Sequence, residues 1–353
     1  MSDPHLIRAA RIENPKLRER DLASQLGISE AALQAAHTGL GVTRIAAGPD
    51  ALVPRLAALG EVMALTRNGS AVHEKVGRYD NYQGGAHAAM VLTDDIDLRI
   101  FPQHWVHGFA VLRETDTGPR HSLQIFDAAG DAVHKVFLRE GSDVAAWHAL
   151  VADLATGDAS QTLTTAPRPA PEGAKADPAK LDILRAEWSR MTDTHQFMRL
   201  TSKLKYNRLG AYRLVGAPFA QPLHISAVDT VLTQVAAAGI AIMVFVGNRG
   251  CIQIHSGPIT TLRPMGPWQN VMDPRFNLHL RTDHIAEVWL VNKPTKRGDA
   301  ISVEAFDADG QHILQIFGQR GEKTDMAELG IWDRIATGLP IVASVDAPMA
   351  EQV

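Results

Sequence analysis

Apolar and polar positions follow two rhythms along this chain, and each rhythm occurs in both halves. From Lys16 to Thr38 the apolar residues recur at helical spacing, with Gly27-Ile28-Ser29-Glu30 reading as a break and restart. Pro178 opens a second helical pattern that runs through about Leu204. Behind these stretches come short runs such as Asp97–Phe101, Phe109–Leu112, Ser122–Phe126, Val133–Phe137 and Ile301–Phe306. They are rich in β-branched and aromatic residues and bounded by Gly, Asp and Pro, which predicts strands. Asp309-Gly310, between two such runs, is a strong hairpin signal. The predicted class is α+β, each half a helical segment followed by an antiparallel sheet.

The halves are related. Slid against itself by 180 positions, the sequence brings Asn68 onto Asn248, Leu98 onto Leu278 and His104 onto His284. Phe126-Asp127-Ala128-Ala129-Gly130 falls on Phe306-Asp307-Ala308-Asp309-Gly310, and Phe137 on Phe317. Between 63 and 141 there are 16 identities in 79 positions without a gap. Scattered chance matches would not keep one register through strands and loops, so a tandem duplication is predicted. Residues 156–180, with Pro167, Pro169, Pro171 and Pro178 and few bulky apolar residues, read as an extended, exposed linker. The expected organisation is a first repeat at 1–155, the linker at 156–180 and a second repeat at 181–353.

Composition narrows the chemistry. A chain of 353 residues suits about two domains, and 45% hydrophobic with 21% charged residues is ordinary for a globular protein. A net charge of −4, with no block of like charges, gives no reason to expect nucleic-acid binding. Cys251 is the only cysteine, which excludes an intrachain disulfide and any iron–sulfur or zinc site built on several cysteines. The opening residues carry Asp3, Arg8, Arg11 and Glu13 and do not resemble a signal peptide. The apolar stretch Val235–Val246 is too short to span a bilayer. A cytoplasmic protein without membrane insertion is expected.

Nucleotide-binding glycine motifs, the zinc-protease motif and the serine nucleophile elbow are all missing from the sequence. Among fifteen histidines, His195 is best placed. Trp188, Met191, His195 and Met198 recur at helical spacing, which sets His195 on an apolar stripe. Two readings follow: a satisfied core histidine, or a neutral imidazole presented to a flat apolar ligand that contains a metal.

At this point the chain resembles the bacterial haem-utilisation family of hemin-degrading factors and haem-trafficking proteins. The segment Met191-Thr-Asp-Thr-His195-Gln-Phe is similar to the family helix whose histidine is the axial iron ligand, and Leu98-Arg99-Ile100-Phe101 with Gln103-His104-Trp105 to its distal segment. The resemblance covers essentially the whole chain. It implies that His195 binds haem iron and that Arg99 faces the iron from the other side, with Phe101 beside it. It also implies that Arg208 and Lys293 meet the haem propionates and that Gln315 and Phe317 line the pocket. Read without it, Arg208 and Lys293 would be solvated surface charges and Arg99 a strand residue facing solvent. Phe317 lacks the phenol found in some relatives, so one propionate contact is expected to be missing. His87, among glycines, reads as a loop histidine or a secondary haem ligand.

The implied chemistry is physically coherent. A haem needs an axial donor, apolar faces and cations at the edge that carries its two carboxylates. At the 180-residue offset Arg99 corresponds to His279 and Arg113 to Lys293, while the His195 motif has no counterpart in the first copy. One haem site drawing on both copies is therefore expected. The leading expectation is a protein that accepts imported haem and degrades it to release iron, with electrons supplied from outside. The alternative is a haem chaperone delivering to a separate haem oxygenase. A second alternative is a duplicated β scaffold for another planar or lipidic ligand. Expected partners are haem and, beyond it, a haem importer, a reductase or a haem oxygenase; a homodimer is left open.

Overall fold

In the computed structural model, which describes residues 3–321 and 324–342, helices alternate with antiparallel sheet as the sequence predicts. The duplication is written into the backbone. Val62–Arg67 and Ile242–Gly247 match at the 180-residue offset, as do Ala71–Gly77 and Cys251–Gly257, and Ala132–Leu138 and His312–Gly318. Both Val62–Arg67 and Ile242–Gly247 bury every second residue, the signature of a half-buried strand. Even the irregularities repeat: the register shifts between Ile125 and Phe126 in one copy and between Ala305 and Phe306 in the other. In each hairpin an aspartate organises the turn. Asp127 Oδ1 accepts from the Ala129 and Asp131 amides, and Asp307 Oδ1 from those of Asp309 and Gln311. Gly130 and Gly310 supply the positive φ, 79° and 77°, that these turns demand.

The described chain forms two compact units, and the first takes in two segments of the second copy. It comprises the described residues up to Ala170, Phe245–His255 and Met272–His279. Its sheet runs Val42–Ile45, His107–Thr115, Gly118–Phe126, Ala132–Leu138, Val62–Arg67, Ala71–Gly77 and then the opening residues of Phe276–Arg281. Residues 251–254 pair antiparallel with Asp97–Ile100, with Cys251 opposite Ile100 and Ile252 opposite Arg99. Asn248 ties this segment down: its Oδ1 accepts from the Gly250 and Cys251 amides, and its Nδ2 donates to the Arg67 and Val133 carbonyls. The core gathers Leu52, Leu56, Val62, Ile96, Leu98, Trp105, Leu123, Trp147 and Cys251. Burying such a side chain is worth about 1.5–3 kcal/mol.

The second unit comprises Pro171–Val244, Ser256–Val271 and the described residues from Leu280 onward. Its sheet runs Ala220–Leu223, Glu287–Lys293, Ala300–Phe306, His312–Gly318 and the opening residues of Ile242–Gly247. Helices Leu181–Ser189, Gln196–Leu204 and Arg208–Val215 supply Leu184, Trp188, Phe197, Leu204, Tyr212 and Val215 to a core completed by Val291 and Phe306.

The helical boundaries differ from the sequence reading in two places and agree with it in a third. Pro4–Glu13 is a helix that apolar spacing did not announce, capped by Asp3. Within Lys16–Thr38 the helices Glu19–Gln25 and Glu30–Ala35 stand either side of the expected break at Gly27-Ile28-Ser29, with Ser29 capping the second. The pattern from Pro178 to Leu204 is not one helix: Leu181–Ser189 ends, and Gln196–Leu204 starts anew. The intervening Thr192-Asp193-Thr194 is the cause, because short polar side chains offer the backbone local hydrogen bonds that compete with the helix. The linker is extended and largely exposed, yet fastened: Ser160 and Thr162 carbonyls accept from Arg44, and the Arg168 guanidinium pairs with Asp131.

Candidate functional site

The break between the two helices decides where His195 sits. It is the residue just before the helix Gln196–Leu204, and its side chain is 84% exposed. It is no core histidine. The stripe that periodicity suggested splits: Trp188 and Met191 are buried, while Met198 and His195 face solvent. Asp193 Oδ1 accepts from both the backbone amide and Nδ1 of His195, each at 2.7 Å. These two hydrogen bonds hold the Asp193 carboxyl below its ordinary range. Among the described residues Nε2 has no hydrogen-bond partner. The turn is clamped further by Gln196, whose Oε1 accepts from the Thr192 amide and whose Nε2 donates to the Thr192 hydroxyl.

Two residues into that helix, Phe197 is buried and leads to a cluster of charge. The Lys293 ammonium lies 4.9 Å from the Phe197 ring centroid and the Arg208 guanidinium 5.6 Å. Both cations converge on Glu304, a fully buried carboxylate on the strand Ala300–Phe306. Arg208 Nη1 donates to Glu304 Oε2 at 2.7 Å and Lys293 Nζ to Oε1 at 3.0 Å. The Tyr212 hydroxyl donates to Oε2 at 2.8 Å and the Ser302 hydroxyl to Oε1 at 2.8 Å; Gln315 Nε2 donates there as well. Neither cation is therefore a solvated surface charge. Lys293 is buried and Arg208 is 28% exposed.

The electrostatics are those of two cations sharing one carboxylate. Burial works against the charge on Glu304, but Lys293 and Arg208 outweigh it and hold the carboxyl well below the usual carboxylate range. Burial pushes the Lys293 ammonium down to about 8, and the Arg208 charge acts in the same direction against the pull of Glu304. Arg binds a carboxylate in bidentate fashion and Lys as a point charge, and here Glu304 is the carboxylate that both meet. Gln315 and Phe317 alternate along His312–Gly318, with Gln315 opposite Glu304 and Phe317 opposite Ser302.

Arg99 and Phe101 lie in the first unit. Arg99 sits on Asp97–Ile100, flanked by Ile252 and Met90 on the neighbouring strands, with its side chain 32% exposed. It pairs with Asp97 and donates to the Leu98 carbonyl at 3.2 Å. Burial nevertheless raises the Asp97 carboxyl above its ordinary range. The Phe101 amide donates to the Gly250 carbonyl at 3.0 Å. His87 is exposed and His279 partly buried. Three residues escaped the sequence reading: Asp193, Tyr212 and Glu304. Glu304 left a trace, an acidic residue within the apolar strand run Ile301-Ser-Val-Glu-Ala-Phe. Asp193 left the two-residue spacing to His195 that suits an aspartate-closed turn.

The arrangement offers an exposed imidazole nitrogen at His195 and, under the buried Phe197 ring, a pair of cations gathered on Glu304. Comparison with known proteins gives this chemistry a context. The profile of the haemin-degrading HemS.ChuX domain matches twice, over residues 27–154 and 205–339. The hemin transport protein HemS of Yersinia enterocolitica is 42% identical over 315 residues, 89% of this chain and 90% of that protein. The structure of holo-PhuS, a haem-binding protein from Pseudomonas aeruginosa, superposes with a TM-score of 0.91 at 41% identity, covering 97% of this chain and 100% of that one. ChuS, described as an E. coli haem oxygenase, gives 0.83 at 34% identity, covering 93% and 98%.

Proposed function

This chain belongs to the haemin-degrading HemS.ChuX family, and from that premise we propose that it binds haem through His195 and opens the ring to release iron. The observation that carries the reading is the exposed His195 imidazole, held through Nδ1 by Asp193 with Nε2 left without a partner among the described residues. Free imidazole Nε2 is a haem-iron donor, and Arg208 and Lys293 supply the charge that haem propionates need. Gln315 adds an amide donor near these cations, and Phe317 and Phe101 add apolar wall. Arg99, assigned to the distal side by resemblance, would supply N–H donors where negative charge develops. Bound haem supplies the redox chemistry. The chain has no nicotinamide or flavin fingerprint, so a reductase or chemical reductant would provide the electrons.

A haem titration of wild type and His195→Ala, read by visible absorption, tests the assignment. A saturable one-to-one Soret change in wild type, lost or shifted in the variant, is the expected result; identical spectra and affinity would remove His195 from the site. Adding reductant under air then separates degradation from a second reading. In that reading the protein is a non-enzymatic carrier that hands haem to a separate oxygenase. It is favoured by the better superposition on PhuS, described as a haem-binding protein, than on ChuS, described as a haem oxygenase. Loss of the Soret band with iron release supports ring opening, and a persistent band supports the carrier. An importer and a cytoplasmic setting belong to either proposal.

A further inference from the structure

We propose that Asp193 is a positioning residue for the axial histidine: its carboxylate holds the Nδ1 hydrogen of His195, so that Nε2 is the atom offered to iron. The inference rests on the reading of His195 as the iron ligand. One carboxylate oxygen, Oδ1, receives both hydrogen bonds from the same residue, 2.7 Å from the backbone amide and 2.7 Å from Nδ1. An ionised carboxylate only accepts, so in the neutral imidazole that a metal requires this contact places the ring proton on Nδ1 and leaves the lone pair on Nε2. The backbone bond fixes the carboxylate and the ring bond fixes the imidazole, leaving little freedom of tautomer or rotation between them.

The turn is built to keep this geometry. Thr192 and Gln196 close it with two reciprocal hydrogen bonds, and the Lys296 amide donates to the Thr192 carbonyl at 3.0 Å. Asp193 and His195 are themselves exposed, 59% and 84% at the side chain. An exposed pair of this kind adds little to fold stability. Its consequence lies in the ligand instead. A carboxylate on the far nitrogen of a metal-binding imidazole raises the basicity of the near one and fixes its orientation. Electron density pushed toward the iron favours the ferric over the ferrous state.

The test uses the haem-loaded full chain as wild type, Asp193→Ala, Asp193→Glu and His195→Ala. Haem affinity, the ferric/ferrous midpoint potential and the ferrous iron–histidine stretching frequency by resonance Raman are measured, with the haem-free melting temperature as the check on folding. In Asp193→Ala the affinity is expected to fall about ten- to a hundredfold, the potential to rise and the stretching frequency to drop, with melting unchanged. Asp193→Glu is expected to restore much of each. Wild-type values in Asp193→Ala, alongside loss of the axial signature in His195→Ala, would overturn the role of Asp193 and leave the ligand assignment standing. An axial signature retained in His195→Ala would overturn the assignment itself, and this inference with it.

Discussion

At the scale of single residues, Glu304 governs the second unit. It is fully buried and stands between two cations, one of them buried as well. Glu304→Gln would leave Arg208 and Lys293 without their counter-charge, and removing one partner of a buried ion pair costs about 3–5 kcal/mol. Denaturant unfolding at neutral pH is expected to read a loss of that size. The pH dependence has a definite sign. Because the folded-state pKa of Glu304 lies well below 4.5, its contribution is fully present above that value and is lost as pH falls further. The gap between wild type and Glu304→Gln should therefore narrow below about pH 4.5. His195 shows how much of a site a sequence reveals. The segment around it marked it as a candidate, but its exposure was not legible there. Helical spacing from Trp188 to Met198 presumes an unbroken helix, and the hydrogen bonds of Thr192, Asp193 and Gln196 break it.

At the scale of elements, the hairpins were the most legible part of the fold. Asp-Ala-Ala-Gly and Asp-Ala-Asp-Gly name the same turn twice, and alternating burial follows from the two-residue period of a strand. The loop at Asn248 was less so, since asparagine between glycines marks a turn without saying what the turn holds. Its side chain donates to two carbonyls of the first copy's strands, Arg67 and Val133, and accepts from two amides of its own loop. Asn248→Ala strands several partly buried backbone groups, each costing about 1–3 kcal/mol when left unsatisfied. A drop of about that size in unfolding free energy, with the urea m-value unchanged, is the expected outcome.

At the scale of the whole molecule, the duplication and the compact units do not coincide residue for residue. The first unit includes Phe245–His255 and Met272–His279, which follow the linker in sequence. A protease cut within 156–180 should thus leave two fragments that co-elute on native gel filtration, because the strand Asp97–Ile100 stays hydrogen-bonded to residues 251–254. Denaturant should separate them. Fragments that part under native conditions would contradict that unit composition.

The sequence by itself determined the local and repetitive features: helices leading into antiparallel strands, the 180-residue register, the paired aspartate turns and the kinds of residue available to meet haem. These follow from side-chain period and turn chemistry, which act between near neighbours. Only the tertiary structure decided that residues 251–254 add to Asp97–Ile100 and that Arg208, Tyr212 and Lys293 gather on Glu304. Only it placed His195 outside the core, held by Asp193. Strand pairing is made by backbone groups that every residue carries alike. A buried ion cluster depends on which distant side chains the packed core forces together. Neither leaves a periodic mark along the chain.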